Sequence, residues 1–252
     1  MFEWKQRRRR KAGIGRGMGS EKPVIFSTEM VRAVLDGRKT QTRRVIKSQP
    51  FRNDDGSFEL YSETGSISVV SYEEFLKMCP FQPGVILWVR ETHYRWTGCN
   101  SPPPGWMMID DNPYNARAYL DNEEAGALYK RGAAVKVPAI HMPRKAARLF
   151  LRVKNIRVER LQDVTEEDAI AEGMLSLNGF LLDHSGEWCR YTVMAAKSQG
   201  RERPGKADHI GGFAYIWDRI NAKRGYGWNV NPWVWVIDFE AIMPSEMKEG
   251  KK

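Results

Sequence analysis

The sequence predicts an α+β protein: a compact, mostly antiparallel β-sheet or barrel with short flanking helices and two insertions. Three observations predict it. Short apolar stretches with strand character recur from Pro23 to the end of the chain, closing with residues 232–242. The helical stretches between them are short, and regular long helices of the kind that cross over in a doubly wound parallel sheet are missing. Two segments, near 95–135 and 175–210, are polar and punctuated by Gly or Pro, so they read as insertions.

Residues 23–26 read as a buried strand. Ser27 or Thr28 then caps a helix with Met30, Val31, Val34 and Leu35 on one face. Gly37 ends it where a left-handed residue is wanted. A second strand is expected over 44–46, loop over 48–70 with a turn at 53–56, and a short helix over 72–78. Residues 85–91 form the clearest strand, after the turn Pro83-Gly84. A strand is expected over 116–120, a turn of helix over 143–148 and one long or bent strand over 149–161. Thr165-Glu166-Glu167-Asp168 is a capping box opening a short helix that Gly173 closes. Residues 213–222 are amphipathic, and 232–242 form the last strand, with Trp233, Trp235, Ile237 and Phe239 on one core-facing side.

The chain has 252 residues, is 42% hydrophobic and 28% charged, and carries a formal +9. Residues 1–20 hold seven Lys/Arg against one Glu, which leaves only +3 for the remainder. The basic tail is expected to be disordered. It reads either as a nucleic-acid-binding arm or as residues upstream of a true start at Met18. Residues 21–242 are expected to form a single domain, with 243–252 a flexible tail. No apolar run is long enough for a membrane span. Cys79, Cys99 and Cys189 are scattered and odd in number, which fits a reducing, cytoplasmic setting rather than a disulfide framework. His93, His141, His184 and His209 are isolated, no spacing matches a zinc site, and no phosphate loop or nucleophile elbow occurs, so no cofactor or metal is expected.

The chemistry concentrates in Gly37-Arg38-Lys39-Thr40-Gln41-Thr42-Arg43-Arg44, four cations and two hydroxyls around one turn. Lys39 and Thr42 serve one site only if the chain turns there, since in a straight strand they face opposite sides. Glu172 shares a face with Thr165 and Ala169, and if that face points inward the carboxylate needs a partner. Lys39 is the candidate. A half-buried Lys–Glu pair beside a hydroxyl has the parts for amide or ester hydrolysis; the same pair also serves as a salt bridge that fixes the turn.

The motif Gly37-Arg38-Lys39-Thr40-x-Thr42-x-Arg44 closely resembles that of the ASCH family, a branch of the PUA-like β-barrels. Thr165-Glu166-x-x-Ala169-x-x-Glu172-x-Met174 resembles the family's downstream helix. In small bacterial ASCH amidohydrolases that remove acetyl from acetylated cytidine, the lysine and second threonine of the first motif and the glutamate of the second are catalytic. The resemblance therefore implies Lys39, Thr42 and Glu172 as catalytic residues of a metal-independent amidohydrolase. Pro83-Gly84-Val85-x-Leu87 is similar to the family's Gly-Asp-x-Leu strand entry, with Val85 in place of the acid. Residues 225–239 are similar to the end of larger phage and prophage members, some of them labelled morphogenetic.

The expected ligand is RNA or a modified nucleobase or nucleoside in a cationic cleft, with DNA possible as a partner. Arg38, Arg43 and Arg44 are expected to hold phosphate. Trp88, Arg90 and Glu91 are read as lining a pocket mouth, or alternatively as a solvated strand end. Tyr226 and Trp228, in a Gly-rich loop, are candidates for base stacking. Beside the hydrolase stand two other classes: a non-catalytic nucleic-acid-binding module and a phage morphogenesis or interaction protein.

Overall fold

A computed structural model describes residues 21–62, 65–98, 101–108, 116–177, 180–182 and 209–242. The basic tail, most of the second insertion, the C-terminal tail, and Cys99, His184 and Cys189 lie outside the described residues.

The fold is α+β. Its centre is a five-stranded sheet built from β1 (Glu21–Ile25), β2 (Gln41–Val45), β6 (Ile86–Arg90), β10 (Phe150–Arg160) and β13 (Trp233–Ile242), in the order β1-β6-β10-β13-β2. Only β1 and β6 run parallel; β10 pairs antiparallel with β6 and β13, and β13 with β2. β10 is the long bent strand of the sequence reading, its register shifting between Val153 and Asn155.

β13 explains why one strand organises two cores. Trp233, Trp235, Ile237 and Phe239 point to the face covered by Phe26, helix α1 (Thr28–Leu35) and Phe75 of helix α2 (Tyr72–Lys77). The intervening Val234 and Val236 are also fully buried, against α4 (Glu166–Ala171) and α5 (His209–Asn221). A strand covered on both faces is apolar throughout rather than alternating.

The stretch expected as loop over 48–70 is instead a small meander, β3 (Phe51–Arg52), β4 (Phe58–Tyr61) and β5 (Ile67–Val70). Its strands are too short for a periodic signal. Phe58 is its buried anchor, stacking on Phe75 at 4.6 Å and meeting the edge of Trp233, with Leu60 and Val70 packed partly buried against the same core. The first insertion is also structured: β7 (His93–Trp96), β8 (Arg117–Tyr119) and β9 (Ala134–Val137) pair in the order β8-β7-β9, with α3 (Glu123–Lys130) between the last two in sequence. β11 (Leu175–Leu177) and β12 (Phe180–Leu182) form a hairpin.

No ladder joins β1 to β2, so the main sheet is open by strand pairing among the described residues. Its two edges nevertheless approach. Arg44 of β2 donates to the carbonyl of Ile25 at the end of β1 (2.9 Å), and Phe26 meets Phe239 with ring centroids 6.2 Å apart.

Candidate functional site

The site begins with the end of α1. Ser27 caps the helix. Val31, Ala33 and Val34 are buried, whereas Leu35, expected on the same face, is exposed. The helix stops at Gly37, whose φ of 73° is left-handed as the sequence predicts. The amides of Arg38 and Lys39 both return to Ala33 O. The chain thus turns before entering β2, and Lys39 lands beside α4 rather than in the sheet.

The second half of the site comes from the capping box. Thr165 accepts from the Asp168 amide, and the Asp168 carboxylate accepts from the Thr165 amide. Glu172 caps the other end of this short helix, and Gly173 (φ 95°) turns the chain away. Thr40 N donates to Ala171 O, and Lys39 and Glu172 form an isolated antiparallel bridge. The end of α4 is therefore pinned against the free edge of the chain entering β2.

These two turns bring Lys39 and Glu172 together. Lys39 Nζ lies 2.6 Å from Glu172 Oε2 and also donates to Glu172 O at 3.0 Å; both side chains are buried. Burial pushes the Lys39 amine below its ordinary value. Glu172 opposes that shift, and Arg44 and Arg43 add to it. The ammonium sits 5.7 Å from the centroid of the Phe26 ring.

Thr42 lies opposite Ile237 in the β2–β13 register, which places it on the inner face, with Arg44 opposite Trp235. Thr42 is buried, and its hydroxyl makes no hydrogen bond among the described residues. The structure brings Lys39 and Glu172 into direct contact and places Thr42 three residues along on the adjoining strand.

The arginines expected to hold phosphate are engaged within the protein. Arg38 donates to Gly173 O and to Asp36. Arg44 is half-buried, bound to Ile25 O and stacked 5.5 Å from Phe26. Arg43 is fully buried on the opposite face of β2. Its guanidinium donates to Gln41 Oε1 at 2.6 Å and to Asp168 at 2.8 Å, meets Glu159 at 3.3 Å, and lies 3.5 Å from Glu172 Oε1. Gln41 also donates to Asp168 and Asp238, while Arg157 bridges the same two carboxylates. Burial raises the Asp168 pKa, but the Gln41 hydrogen bond and the cations Arg43 and Arg157 outweigh it and hold the carboxyl below its usual range.

Other expected site residues move away from the pocket reading. Glu91 is fully buried and takes a two-pronged grip from Arg148 (2.9 and 3.0 Å), so it is neither a pocket rim nor a solvated strand end. Arg148 also binds Asp121 and stacks on Tyr119, which ties the first insertion to β6 and β10. Arg90 reaches Ile140 O and stacks on Trp88, and Trp88 packs against Phe150 and Ile242. Trp228 is half-buried against Phe213, and the Tyr226 hydroxyl meets Lys47 O. Neither ring is the open stacking platform expected; the Gly-flanked loop is held down by Asp218, which accepts from the Trp228 amide, and by Trp217, which donates to Tyr226 O. His209, read as isolated, is bonded to Glu166.

Gln41, Arg157, Glu159, Asp168 and Asp238 are the site residues the sequence reading missed. One signal existed: Asp238 interrupts the apolar run of the last strand, which demands a partner on a buried strand. Among the described residues no group of three or more His, Cys, Asp and Glu is placed to hold a metal ion, and no helix is long and apolar enough to cross a membrane. Comparison with known protein families, curated proteins and solved structures found no match to this chain.

Proposed function

We propose that this chain is an ASCH-type, PUA-like amidohydrolase that removes the acyl group from a small modified nucleoside such as acetylated cytidine. The observation that carries the reading is the buried contact of Lys39 with Glu172 at 2.6 Å, made by residues from the two motifs that resemble that family. The barrel part of the reading is supported by the approach of the sheet's two edges through Arg44 and Phe26.

The chemistry is drawn from the Lys39–Glu172 contact, and the role of Thr42 is taken from the resemblance. A lysine whose amine is held below its ordinary value is neutral over a wider pH range and accepts a proton from water or from the Thr42 hydroxyl. The activated oxygen attacks the acyl carbonyl, and the C–N bond of the amide breaks. Glu172, in contact with the amine, carries the proton to the departing nitrogen. Water is consumed, and the acid and the free amine leave. If Thr42 attacks, the acyl group passes through an ester on its oxygen, which water then cleaves.

Charge favours a ligand without phosphate. Lys39, Arg43 and Arg157 face Glu159, Asp168, Glu172 and Asp238, and Arg44 adds a further cation within the field of Glu172. Arg224, whose charge also reaches Arg44, makes five cations to four carboxylates. Lys39, Arg43, Arg44 and Arg157 are already engaged within the protein, however, which leaves little positive charge for a nucleotide backbone. The test is to incubate the purified protein with acetylated cytidine and measure acetate. Release that stops in Lys39→Ala is expected. Release that survives it removes Lys39 from the mechanism. Salt-dependent RNA binding without acetate, persisting after residues 1–17 are deleted, would favour the binding module instead.

A further inference from the structure

We infer that Arg43 is a positioning residue that holds the Glu172 carboxylate in register with Lys39, and that Asp168 is the anchor against which it is braced. The inference rests on the proposed hydrolysis for its kinetic part and on geometry alone for the rest.

Glu172 is attached at the end of a six-residue helix, a mounting that by itself leaves the carboxylate free to rotate. One oxygen, Oε2, is taken by Lys39. The other, Oε1, is buried without a hydrogen bond, and Arg43 Nη1 lies 3.5 Å from it. The guanidinium therefore fixes the second oxygen by charge and leaves its proton-accepting capacity unspent. Arg43 holds that place because its other contacts are strong. Nη2 binds Asp168 at 2.8 Å and meets Glu159 at 3.3 Å, and Nη1 is bonded to Gln41 at 2.6 Å. The side chain also lies over the Phe213 ring at 5.6 Å. Asp168 in turn is gripped by Gln41 and Arg157 and locked by its own helix cap. A planar fork with several donors suits this task, and a point charge does not.

Arg43 also acts on the amine. The charged groups facing Lys39 are Glu172 from the end of α4 and Arg43 and Arg44 from β2. Both arginines disfavour the ammonium, so removing the Arg43 charge raises the proton affinity of Lys39.

The experiment compares Arg43→Gln, Arg43→Lys and Asp168→Asn with the parent protein, using two readouts. One is the NMR titration midpoint of 13C-labelled Lys39; the other is kcat and KM for acetate release from acetylated cytidine. Arg43→Gln is expected to move the midpoint upward. Arg43→Lys, which keeps the charge, is expected to leave it near the parent value while kcat falls about ten- to a hundredfold at little-changed KM. Asp168→Asn keeps the arginine but loosens its brace, and is expected to reproduce the kcat loss to a smaller degree. If Arg43→Gln does not fold, the other two variants carry the test. The inference is overturned if Arg43→Lys and Asp168→Asn both retain parental kcat, or if a folded Arg43→Gln titrates Lys39 at the parental midpoint. If the parent releases no acetate, the hydrolytic reading falls. The placement of Arg43 is then judged by the titration of Arg43→Gln or, if that variant is unfolded, of Arg43→Met, which removes the same charge; a parental Lys39 midpoint there overturns it as well.

Discussion

Lys39 shows how a single residue type takes its meaning from its surroundings. An exposed lysine would add to a basic surface. This one is buried against a carboxylate, a phenyl ring and two arginines. Removing one member of a buried pair leaves the other charge uncompensated, at a cost of roughly 3–5 kcal/mol, whereas removing both is far milder. Lys39→Met and Glu172→Gln are each expected to lower stability substantially, and the double variant to lose less than the sum. A double-mutant cycle in urea measures the coupling. Glu91 obeys the same rule without any part in the site. Glu91→Ala is expected to cost less, about 1–3 kcal/mol, because Arg148 is partly exposed and keeps its ion pair with Asp121, with acetate release retained by the folded fraction.

Two glycines separate turning from close approach at the scale of elements. Gly37 has a φ of 73° with open space where a side chain would go. Gly173 has a φ of 95°, and a Cβ there would lie 3.1 Å from Ala33 Cβ and 3.1 Å from Lys39 Cβ. Gly37→Ala is expected to cost about 1–2 kcal/mol through backbone strain alone. Gly173→Ala is expected to cost more and to reduce activity, because it pushes on Lys39 itself; denaturation midpoints and acetate release read both effects.

The same elements mark what the sequence discloses. The helix stop at Gly37, the capping box at Thr165 and the buried stripe of the last strand are local patterns, and each appears where expected. The pairing of Lys39 with Glu172 was accessible because an inward carboxylate requires a cation. The fate of Arg43 was not, since its partners Glu159 and Asp168 stand 116 and 125 residues away. Glu91 shows the same gap: a carboxylate at a strand end reads as solvated until Arg148, 57 residues on, covers it. The meander over 51–70 was missed because two- and four-residue strands carry no period.

Across the whole molecule, the charge network links folding to pH. Asp168 is held below its ordinary value of 3.8 in the folded chain, so the folded state binds fewer protons there than the unfolded one. The stabilisation is complete above the ordinary carboxylate value and is lost as pH falls through the folded value. Asp168→Asn is expected to flatten this part of the acid limb of a stability–pH curve, leaving stability less dependent on pH below about 4.

The most direct test of the account is the titration of Lys39 in the intact protein, followed by NMR of the labelled side chain. The account predicts a midpoint below the ordinary lysine value of 10.5, falling further in Glu172→Gln as the opposing carboxylate is lost. A midpoint at or above the ordinary value, indifferent to Glu172, would contradict it and leave the pair a structural ion bridge.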